Sequence, residues 1–506
     1  MQLQLQDEPW WKLVVLAWMV AYGLHSLVAM MTAPPNRPPF YYEFPYLPWL
    51  GSLVQFAVNP RDLLLRASDA MLKQGNKQCF TVQLFGTPMT FLTGSEGHAH
   101  FFKQREHVFD IREAYAMTVI TFGPGVCYDC PQKKMAEQFS FFKDGLSDAS
   151  FVKYVKLVQE ETLQYFDEHW GDSGEADLLQ TLSDLYTLTS SRCLLGDEIR
   201  ARWNASGMAE HYLALDHSFV PILFFFPNIP NPHRSKCVNA RQLFKKMFEE
   251  VIDERHKKRD ADPNYEPPKD YLQVLMDAKY KDGTPLTMTE ITGNMIGILL
   301  GGQHTSNVTG TWCLSHLMKE PKWLEAIMEE QRQFFPSSAG KYATTPATLE
   351  YEQVQKMEVF DQVLSETLRL HPPFFQLSRK VKEDSKFGDT IIPAGHIVNI
   401  SPAASMRSPE LWDEPNTFDP TRFAPENKDK IKPYAFVPFG GGSKCFYCFY
   451  GLCVLLACST SIDYLLFLGV PWKLNIAHIS IDCSCFTFVV ELYYNTIHRN
   501  ASMWWT

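Results

Sequence analysis

A glycine-rich turn that ends in a cysteine is the segment of this chain best suited to chemistry. It reads Phe439-Gly440-Gly441-Gly442-Ser443-Lys444-Cys445. Consecutive glycines let a backbone approach a flat group where a Cβ would collide. A thiolate at the end of such a turn can ligate a soft or borderline metal ion, and haem iron is one of these. A flexible loop that happens to end in a cysteine is the alternative.

Two further groups of residues could contribute polar chemistry. The segment Gly301-Gly302-Gln303-His304-Thr305 lies inside a long apolar stretch. Paired glycines cost roughly 1 kcal/mol each relative to alanine in a helix, so we expect close approach there to a flat ligand or to another helix. Glu366 and Arg369 have the spacing of an ion pair on one helix face. On the surface such a pair would contribute only about 0.3–0.5 kcal/mol.

Mainly helical elements must position these groups. Thr287 and Glu290 have the spacing of a capping box, which predicts a helix from there to about residue 318. Apolar residues at three- and four-residue steps predict further helices, over 151–170, 176–195, 238–259 and up to residue 370. Alternating residues predict short strands, over 80–86, 89–92 and, as two strands around a turn, 391–398. The predicted fold class is mainly α with small β-sheets.

The N-terminus has the pattern of a membrane anchor. Residues 13–31 are mostly apolar, and at about 1.5 Å per helical residue they nearly span a hydrocarbon core. Trp10, Trp11 and Trp18 suit the membrane interface. We therefore predict an uncleaved anchor over residues 1–32 and a proline-rich spacer over 33–39, followed by a soluble body.

Composition excludes some classes of partner. The net charge of −10 argues against nucleic acid, and 45% hydrophobic residues support a large core. Six of the twelve cysteines lie between Cys445 and Cys485, and the others are scattered through the chain. This distribution predicts free thiols in a reducing compartment.

The order and spacing of these segments resemble the cytochrome P450 superfamily. The glycine-histidine-threonine helix is followed by Glu366-x-x-Arg369, then by Arg422 within Pro-Thr-Arg-Phe, then by the Phe439 turn. His304 before Thr305 is similar to the sterol 14-alpha demethylases, as is the segment 115–129. Glu137-Gln138-Phe139 and Phe141-Phe142 resemble the plant and algal branch.

The resemblance implies a role for particular residues. Cys445 would be the proximal thiolate of a haem-thiolate monooxygenase fold in a catalytic domain over 40–445. Thr305 and His304 would relay protons during oxygen activation. Three groups of residues would complete the site. They are the haem contacts Tyr115, Tyr128, Arg379, Gly301, Gly302, Phe439 and Lys444, the substrate contacts Tyr115, Phe122, Tyr128 and His304, and the bracing ion cluster Glu366, Arg369 and Arg422.

The resemblance also implies an activity and its partners. The reaction would be removal of a sterol's 14-alpha methyl group by three successive oxygenations. The cofactor would be haem b, with electrons from NADPH through a separate membrane-bound reductase. The enzyme would act as a monomer at the endoplasmic reticulum membrane, with a single N-terminal pass and a cytosolic catalytic domain.

The chain departs from the family pattern at Cys445. The family turn, Phe-Gly-x-Gly-x-x-x-Cys-x-Gly, is one step longer, and Tyr447 stands where its last glycine belongs. One missing residue can displace a thiolate by up to about 3.5 Å. Residues 446–506 carry only five charged side chains, and we find none of the family's expected features there. The predicted fold is therefore incomplete at its C-terminal end.

Several explanations of this tail remain open. A retained intron or frameshift beginning near Ser443 accounts for all of the departures together. A divergent enzyme that ligates haem through Cys445 or Cys448, a second membrane-associated segment over 452–470 and a zinc site are the others. Two alternatives to the demethylase function follow. One is a catalytically inactive sterol-binding membrane protein, and the other is a haem-thiolate oxidase of another lipid.

Overall fold

The structure is a computed structural model that describes most of the body of the chain. It covers residues 36–441 with gaps at 44–47, 75–77, 85, 170–174, 204–207, 219–224, 227–231 and 335–349, together with 473–475 and isolated residues between 14 and 28. The predicted anchor over 1–32 and the tail over 446–506 therefore lie largely outside the described residues. Among the described helices, none is long and apolar enough to cross a membrane.

Helices form most of the described chain. Those of the first half are α1 Pro48–Val58, α2 Pro60–Lys73, α3 Gly94–Lys103, α4 Ile111–Ala114, α5 Val119–Phe122, α6 Gln132–Gly145, α7 Asp148–His169, α8 Leu178–Ser190, α9 Asp197–Trp203 and α10 Met208–Asp216. Those of the second half are α11 Pro232–Ala261, α12 Tyr271–Asp277, α13 Met288–Lys319, α14 Pro321–Phe334, α15 Tyr351–Val354, α16 Glu358–Leu370, α17 Pro402–Ser405 and α18 Pro425–Lys428. The predicted helices over 151–170, 238–259 and up to 370 are confirmed. The helix predicted over 176–195 is wrong at both ends, because residues 176 and 177 belong to a strand and the α-helix stops at Ser190, where a single π-helical turn follows.

The long helix α13 runs through the largest hydrophobic core. The predicted capping box is present, because Thr287 Oγ1 accepts from the Glu290 amide while the Glu290 carboxylate accepts from the Thr287 amide. Most of its side chains are buried, as expected of a helix that is apolar on nearly every face. Helices α8, α11, α14 and α16 pack against it. This enclosure fixes the position of the Gly301–Thr305 segment.

The strands form three small sheets. Their bounds are β1 Cys79–Leu84, β2 Thr87–Leu92, β3 Phe109–Asp110, β4 Glu175–Asp177, β5 Leu377–Val381, β6 Ser385–Phe387, β7 Thr390–Ile392, β8 Ile397–Ile400 and β9 Lys473–Asn475. The largest sheet has the order β1-β2-β8-β5-β3, and β1 pairs with β2 as predicted, with Phe80 opposite Phe91. Both strands predicted over 391–398 exist, but β7 pairs with β6 whereas β8 joins the largest sheet.

The two-stranded sheet of β4 and β9 pairs a segment of the tail with the body of the chain. Strand β9, at Lys473–Asn475, lies parallel to β4, with Leu474 opposite Ala176. No strand was predicted in the tail from its sequence. Backbone pairing tolerates many side-chain sequences, because its hydrogen bonds come from main-chain groups that every non-proline residue carries.

Candidate functional site

The central part of α13 carries His304 and Thr305, which were predicted to relay protons, and the preceding Gly301-Gly302 pair. Thr305 Oγ1 donates to the Gly301 carbonyl at 2.6 Å, and Ser306 Oγ donates to the Gly302 carbonyl. Such bonds from a hydroxyl to the carbonyl four residues earlier are common for buried serine and threonine in helices. They satisfy both hydroxyls without interrupting the helix. Thr305 is buried, whereas Gly301 and His304 are partly accessible.

His304 faces an acid that the sequence analysis missed. Its Nδ1 lies 3.5 Å from Oδ1 of Asp216, the last residue of α10, and each side chain is about a quarter exposed, at 24% and 23%. Burial alone would raise the pKa of Asp216, but electrostatic attraction to the nearby His304 lowers that pKa below its usual value. Asp216 is therefore ionised at neutral pH and presents a carboxylate to the His304 imidazole. We call Asp216 and His304 the accessible pair.

Three of the predicted haem contacts, Tyr115, Tyr128 and Arg379, converge on one place. The rings of Tyr115 and Tyr128 stack with their centroids 4.9 Å apart. Strand β5 supplies Arg379, and its neighbour Ser378 donates its amide to the Tyr115 hydroxyl at 3.2 Å. The Arg379 guanidinium donates to the Ser378 carbonyl and lies over the Phe101 ring, 5.1 Å from its centroid.

Arg379 tests whether this place fits an anionic group such as a haem propionate. Desolvation lowers the pKa of Arg379, so its charge is held in a poorly solvated environment. The ion pairs found within the described part of the chain do not include Arg379, and the nearby Asp110 is bonded to Arg112. A poorly solvated, partly buried cation without an ionic partner is costly. The residues present therefore fit a bound carboxylate.

The segment around Phe122 packs against the first half of α13. Phe122 is buried, and its ring lies 3.9 Å from the place where a Cβ on Gly297 would stand. A Cβ on Gly293 would lie 2.2 Å from the Phe122 carbonyl oxygen, so only glycine permits this approach. Arg241 of α11 donates to the carbonyls of Val119 and Ile120, the first two residues of α5. The glycine contact that holds Phe122 is thus earlier in α13 than the Gly301-Gly302 pair that the sequence singled out.

Helix α16, which packs against α13, supplies Glu366 and Arg369, and Arg422 joins them from the segment 420–423. We call these three residues the buried ion cluster. Arg369 Nε lies 2.7 Å from Glu366, and Arg422 Nε lies 3.5 Å from the same carboxylate. Glu366 and Arg369 are fully buried. The remaining guanidinium donors of Arg369 reach main-chain carbonyls, those of Met406, Pro415 and Thr417. Burial raises the pKa of Glu366, although both arginines oppose that effect.

The Phe439 turn is described only as far as Gly441. Phe439 is buried and meets Phe374 edge to face, with the centroids 6.2 Å apart. Gly440 has a φ of +94°, a conformation that favours glycine. Lys444 and Cys445, and the cysteines of the alternative zinc site, lie outside the described residues. Within the described ranges, no cluster of three or more metal-ligating side chains occurs.

Comparisons with known proteins decide the family. The sequence model of the family described as cytochrome P450 matches residues 43–445. The chain belongs to the cytochrome P450 family. It is therefore a P450 monooxygenase by class, and the predicted fold, helical with small sheets, is that of this family. The match ends at Cys445, where the sequence analysis found the departure.

The curated relatives place this P450 with the sterol 14-demethylases. It is 34% identical to the sterol 14-demethylase of Arabidopsis thaliana over 85% of both chains. It is 35% identical to the obtusifoliol 14-alpha demethylase of Triticum aestivum, covering 80% of this chain and 86% of the relative. The lanosterol 14-alpha demethylase of Rattus norvegicus is 34% identical, over 82% of this chain and 78% of the relative.

A solved structure supports the fold independently. Retinoic acid bound cyanobacterial CYP120A1 matches with a TM-score of 0.66 and 22% sequence identity. The match covers 83% of this chain and 91% of that chain. At this identity the likeness concerns the fold alone.

The structure brings the predicted residues into separate groups around α13. Tyr115, Tyr128 and Arg379 meet each other, and Glu366 meets both arginines. His304 meets Asp216, and the available signal for Asp216 was weak. It is a single acid at the end of the short apolar helix α10. An acid at the partly exposed end of a short helix needs no functional explanation, so the sequence alone could not select it.

Proposed function

We propose that this P450 removes the 14-alpha methyl group of a sterol in three successive oxygenations, which release the carbon as formate. The observation that carries the proposal is the accessible pair. It places an ionised carboxylate beside His304 in the middle of α13, next to Thr305. The identity of 34–35% to sterol 14-demethylases over most of the chain supports the same substrate class.

The haem would bind between α13 and the Phe439 turn, with Cys445 as its thiolate ligand, and it would supply the activation of dioxygen. Arg379 would hold a propionate through its guanidinium, because its charge has no carboxylate partner among the described residues. The Tyr115 and Tyr128 hydroxyls would add neutral donors beside it. Glu366, Arg369 and Arg422 would brace the proximal side, and Lys444 would contact the haem from the turn.

His304 and Asp216 would transfer protons on the side of the haem that faces α13. The Asp216 carboxylate, which faces Nδ1, would orient the His304 imidazole, and Nε2 would be the atom that delivers a proton. Thr305 would pass that proton onward through its hydroxyl, which is already oriented by the Gly301 carbonyl. Positioned proton transfer of this kind contributes about 10²–10⁴-fold to turnover.

The substrate would contact apolar residues packed beside the first half of α13. Phe122, Tyr115 and Tyr128 lie in the same core as the first half of α13. An apolar wall with a few polar groups at one end suits a sterol, which is a rigid hydrocarbon with one hydroxyl. Gly301 and Gly302 would allow the haem and the substrate to lie close to the helix.

The remaining proposals concern location and electron supply. The domain organisation would be an anchor over 1–32, a spacer over 33–39, a catalytic domain over 40–445 and a tail over 446–506. The anchor would hold a monomer at the endoplasmic reticulum membrane with its catalytic domain in the cytosol. A membrane-bound reductase would supply electrons from NADPH.

The test is spectroscopic first and enzymatic second. The full chain is reduced under carbon monoxide, and a thiolate-type Soret band is the expected result. Reconstituted with a P450 reductase and NADPH, it is then given a 14-methyl sterol, and formate is measured. A thiolate-type band without formate from any 14-methyl sterol would contradict demethylation. Type I spectral shifts with fatty acids but not with sterols would favour oxidation of another lipid.

A second candidate is a sterol-binding protein without turnover. The observation that favours it is the shortened spacing between Phe439 and Cys445, since a ligand displaced by about 3.5 Å cannot reach its metal. The absence of a thiolate-type band together with saturable sterol binding would establish this function instead. Sequencing the transcript across residues 442–447 identifies whether the short turn belongs to the message.

A further inference from the structure

Gln303, the residue before His304, connects three helices. Its Oε1 accepts a hydrogen bond from the Tyr212 hydroxyl of α10. Its Nε2 lies 3.4 Å from both the carbonyl and the hydroxyl of Ser183 in α8. Gln303 and Tyr212 are almost completely buried, at 3% and 2% exposure. The side chain therefore links α13 to α10 on one side and to α8 on the other.

The same two helices, α10 and α13, also form the accessible pair. Tyr212 and Asp216 are four residues apart on α10 and lie on one face of it. Their partners, Gln303 and His304, are consecutive in α13. Two adjacent polar contacts thus define how α10 is placed on the distal helix.

These two contacts differ in how firmly they can hold α10. The 3.5 Å separation of Asp216 and His304 is longer than a normal hydrogen bond, and both side chains are partly solvated. A partly solvated pair of this length constrains a helix weakly. The Tyr212 bond is buried, and losing it would leave the Gln303 oxygen without its donor. The stronger constraint therefore comes from Tyr212.

We propose that Tyr212 is a positioning residue that, through Gln303, holds α10 where Asp216 faces His304. The proposal rests on the proposed function, in which the accessible pair manages protons. A rotation of α10 by one residue, about 100°, would turn Asp216 away from His304. Tyr212 opposes that rotation from one helical turn earlier.

The first test removes only the hydroxyl. In Tyr212→Phe the ring still fills its site, and we expect hydrogen exchange of the amides in residues 208–216 to become severalfold faster. The matched control is Tyr154→Phe, because Tyr154 is also 2% exposed and donates to the Gly145 carbonyl at 2.9 Å. That bond joins α7 to α6 and does not involve α10. Equal exchange of 208–216 in the wild type and in Tyr212→Phe would overturn the proposal.

The second test separates positioning from mere packing. Tyr212→Phe combined with Gln303→Leu removes both polar partners, so thermal stability should return close to that of the wild type. A structural role predicts that the product formed per NADPH consumed returns as well. A positioning role predicts that this ratio stays about fivefold below that of the wild type, since the hydrogen bond that holds α10 is still missing. Recovery of both quantities would refute the positioning role.

A double-mutant cycle with Asp216→Asn completes the design. If Tyr212 acts through Asp216, Tyr212→Phe should lower the product-to-NADPH ratio in the wild-type chain but not in Asp216→Asn. Additive losses would contradict the proposal. A wild-type chain that demethylates no 14-methyl sterol would defeat the proposed function instead. In that case the exchange of residues 208–216 alone decides whether Tyr212 holds α10.

Discussion

The buried ion cluster and the accessible pair both bring an acid to a base, yet they differ in nearly every physical respect. In the buried ion cluster, Glu366 and Arg369 are fully buried, and Arg369 directs its donors at the carboxylate and at three carbonyls. In the accessible pair, Asp216 and His304 keep about a quarter of their surface exposed and are 3.5 Å apart.

This difference separates a structural role from a chemical one. A fully desolvated ion pair is tolerated only when hydrogen bonds satisfy every charge, and it then resists any change of partner. A partly solvated pair with a long separation can gain or lose a proton without disrupting the fold. We propose from this comparison that the cluster serves stability and the pair serves reactivity. Substitutions at three positions test that proposal.

The largest effect is expected in the buried ion cluster. Arg369→Ala leaves the Glu366 charge buried without its main partner, which should cost about 3–5 kcal/mol of the free energy of unfolding. Arg369→Lys should also destabilise the fold, because lysine offers three donors where Arg369 uses its whole guanidinium. Urea unfolding midpoints measure both changes.

The control for this substitution is an exposed pair. Lys73 lies 2.6 Å from Asp69, with side-chain exposures of 74% and 60%. Lys73→Ala should change the free energy of unfolding by no more than about 1 kcal/mol. Wild-type stability of Arg369→Lys would break the assignment of a structural role to the cluster.

An intermediate effect is expected from the buried His98. Its Nδ1 donates to the Tyr434 carbonyl, and its Nε2 lies 2.8 Å from Ser405 Oγ. Burial lowers the pKa of His98 to about 4, whereas the unfolded value is about 6.5. Between these values the unfolded state binds the extra proton, so stability is full above about pH 6.5 and falls as the pH decreases toward 4.

The measurement is the free energy of unfolding at pH 7 and pH 5. His98 should account for about 2 kcal/mol of the loss over this interval. His98→Gln should make the pH dependence shallower by that amount, while His107→Gln, at an exposed histidine, should leave it unchanged. If the pH dependence of the free energy of unfolding is the same in His98→Gln as in the wild type, burial of His98 does not contribute to it. Burial would then affect stability in the buried ion cluster but not at His98.

The smallest effect on stability is expected in the accessible pair. Asp216→Asn should change the free energy of unfolding by less than about 1 kcal/mol, because the pair is partly solvated. Sterol turnover should nevertheless fall by about tenfold or more, since the carboxylate that faces the His304 imidazole is removed. Glu210→Gln, at an exposed position of the same helix, is the control. A large loss of stability with unchanged turnover would reverse the comparison.

Much of the fold followed from local sequence patterns. The capping box at Thr287 marked the start of α13, and the helix does run to Lys319. Alternation marked β1 and β2, which pair as expected. The pairing of β7 and β8 with different strands was not predictable from their own sequences. Strand partners depend on distant segments that compete for the same edges.

The candidate site was predictable to a different degree. Its residue types and order pointed to the family, and the family pointed to His304, Glu366 and Arg379. The geometry added Asp216, and it located the close helix approach at Gly293 rather than only at Gly301 and Gly302. Neither feature has a sequence signal of its own, because both arise where two helices from distant parts of the chain cross.

The sequence by itself determined the secondary-structure elements of this P450 and the types of residue available for its chemistry. Capping, periodicity and motif spacing act over a few residues, so they can be read directly from the chain. Only the tertiary structure decided which charges are sealed in the core and which remain accessible. Glu366 and Asp216 are both acids on helices, and they differ in desolvation, which the neighbouring elements set. That difference is the reason we propose a structural role for Glu366 and a reactive one for Asp216.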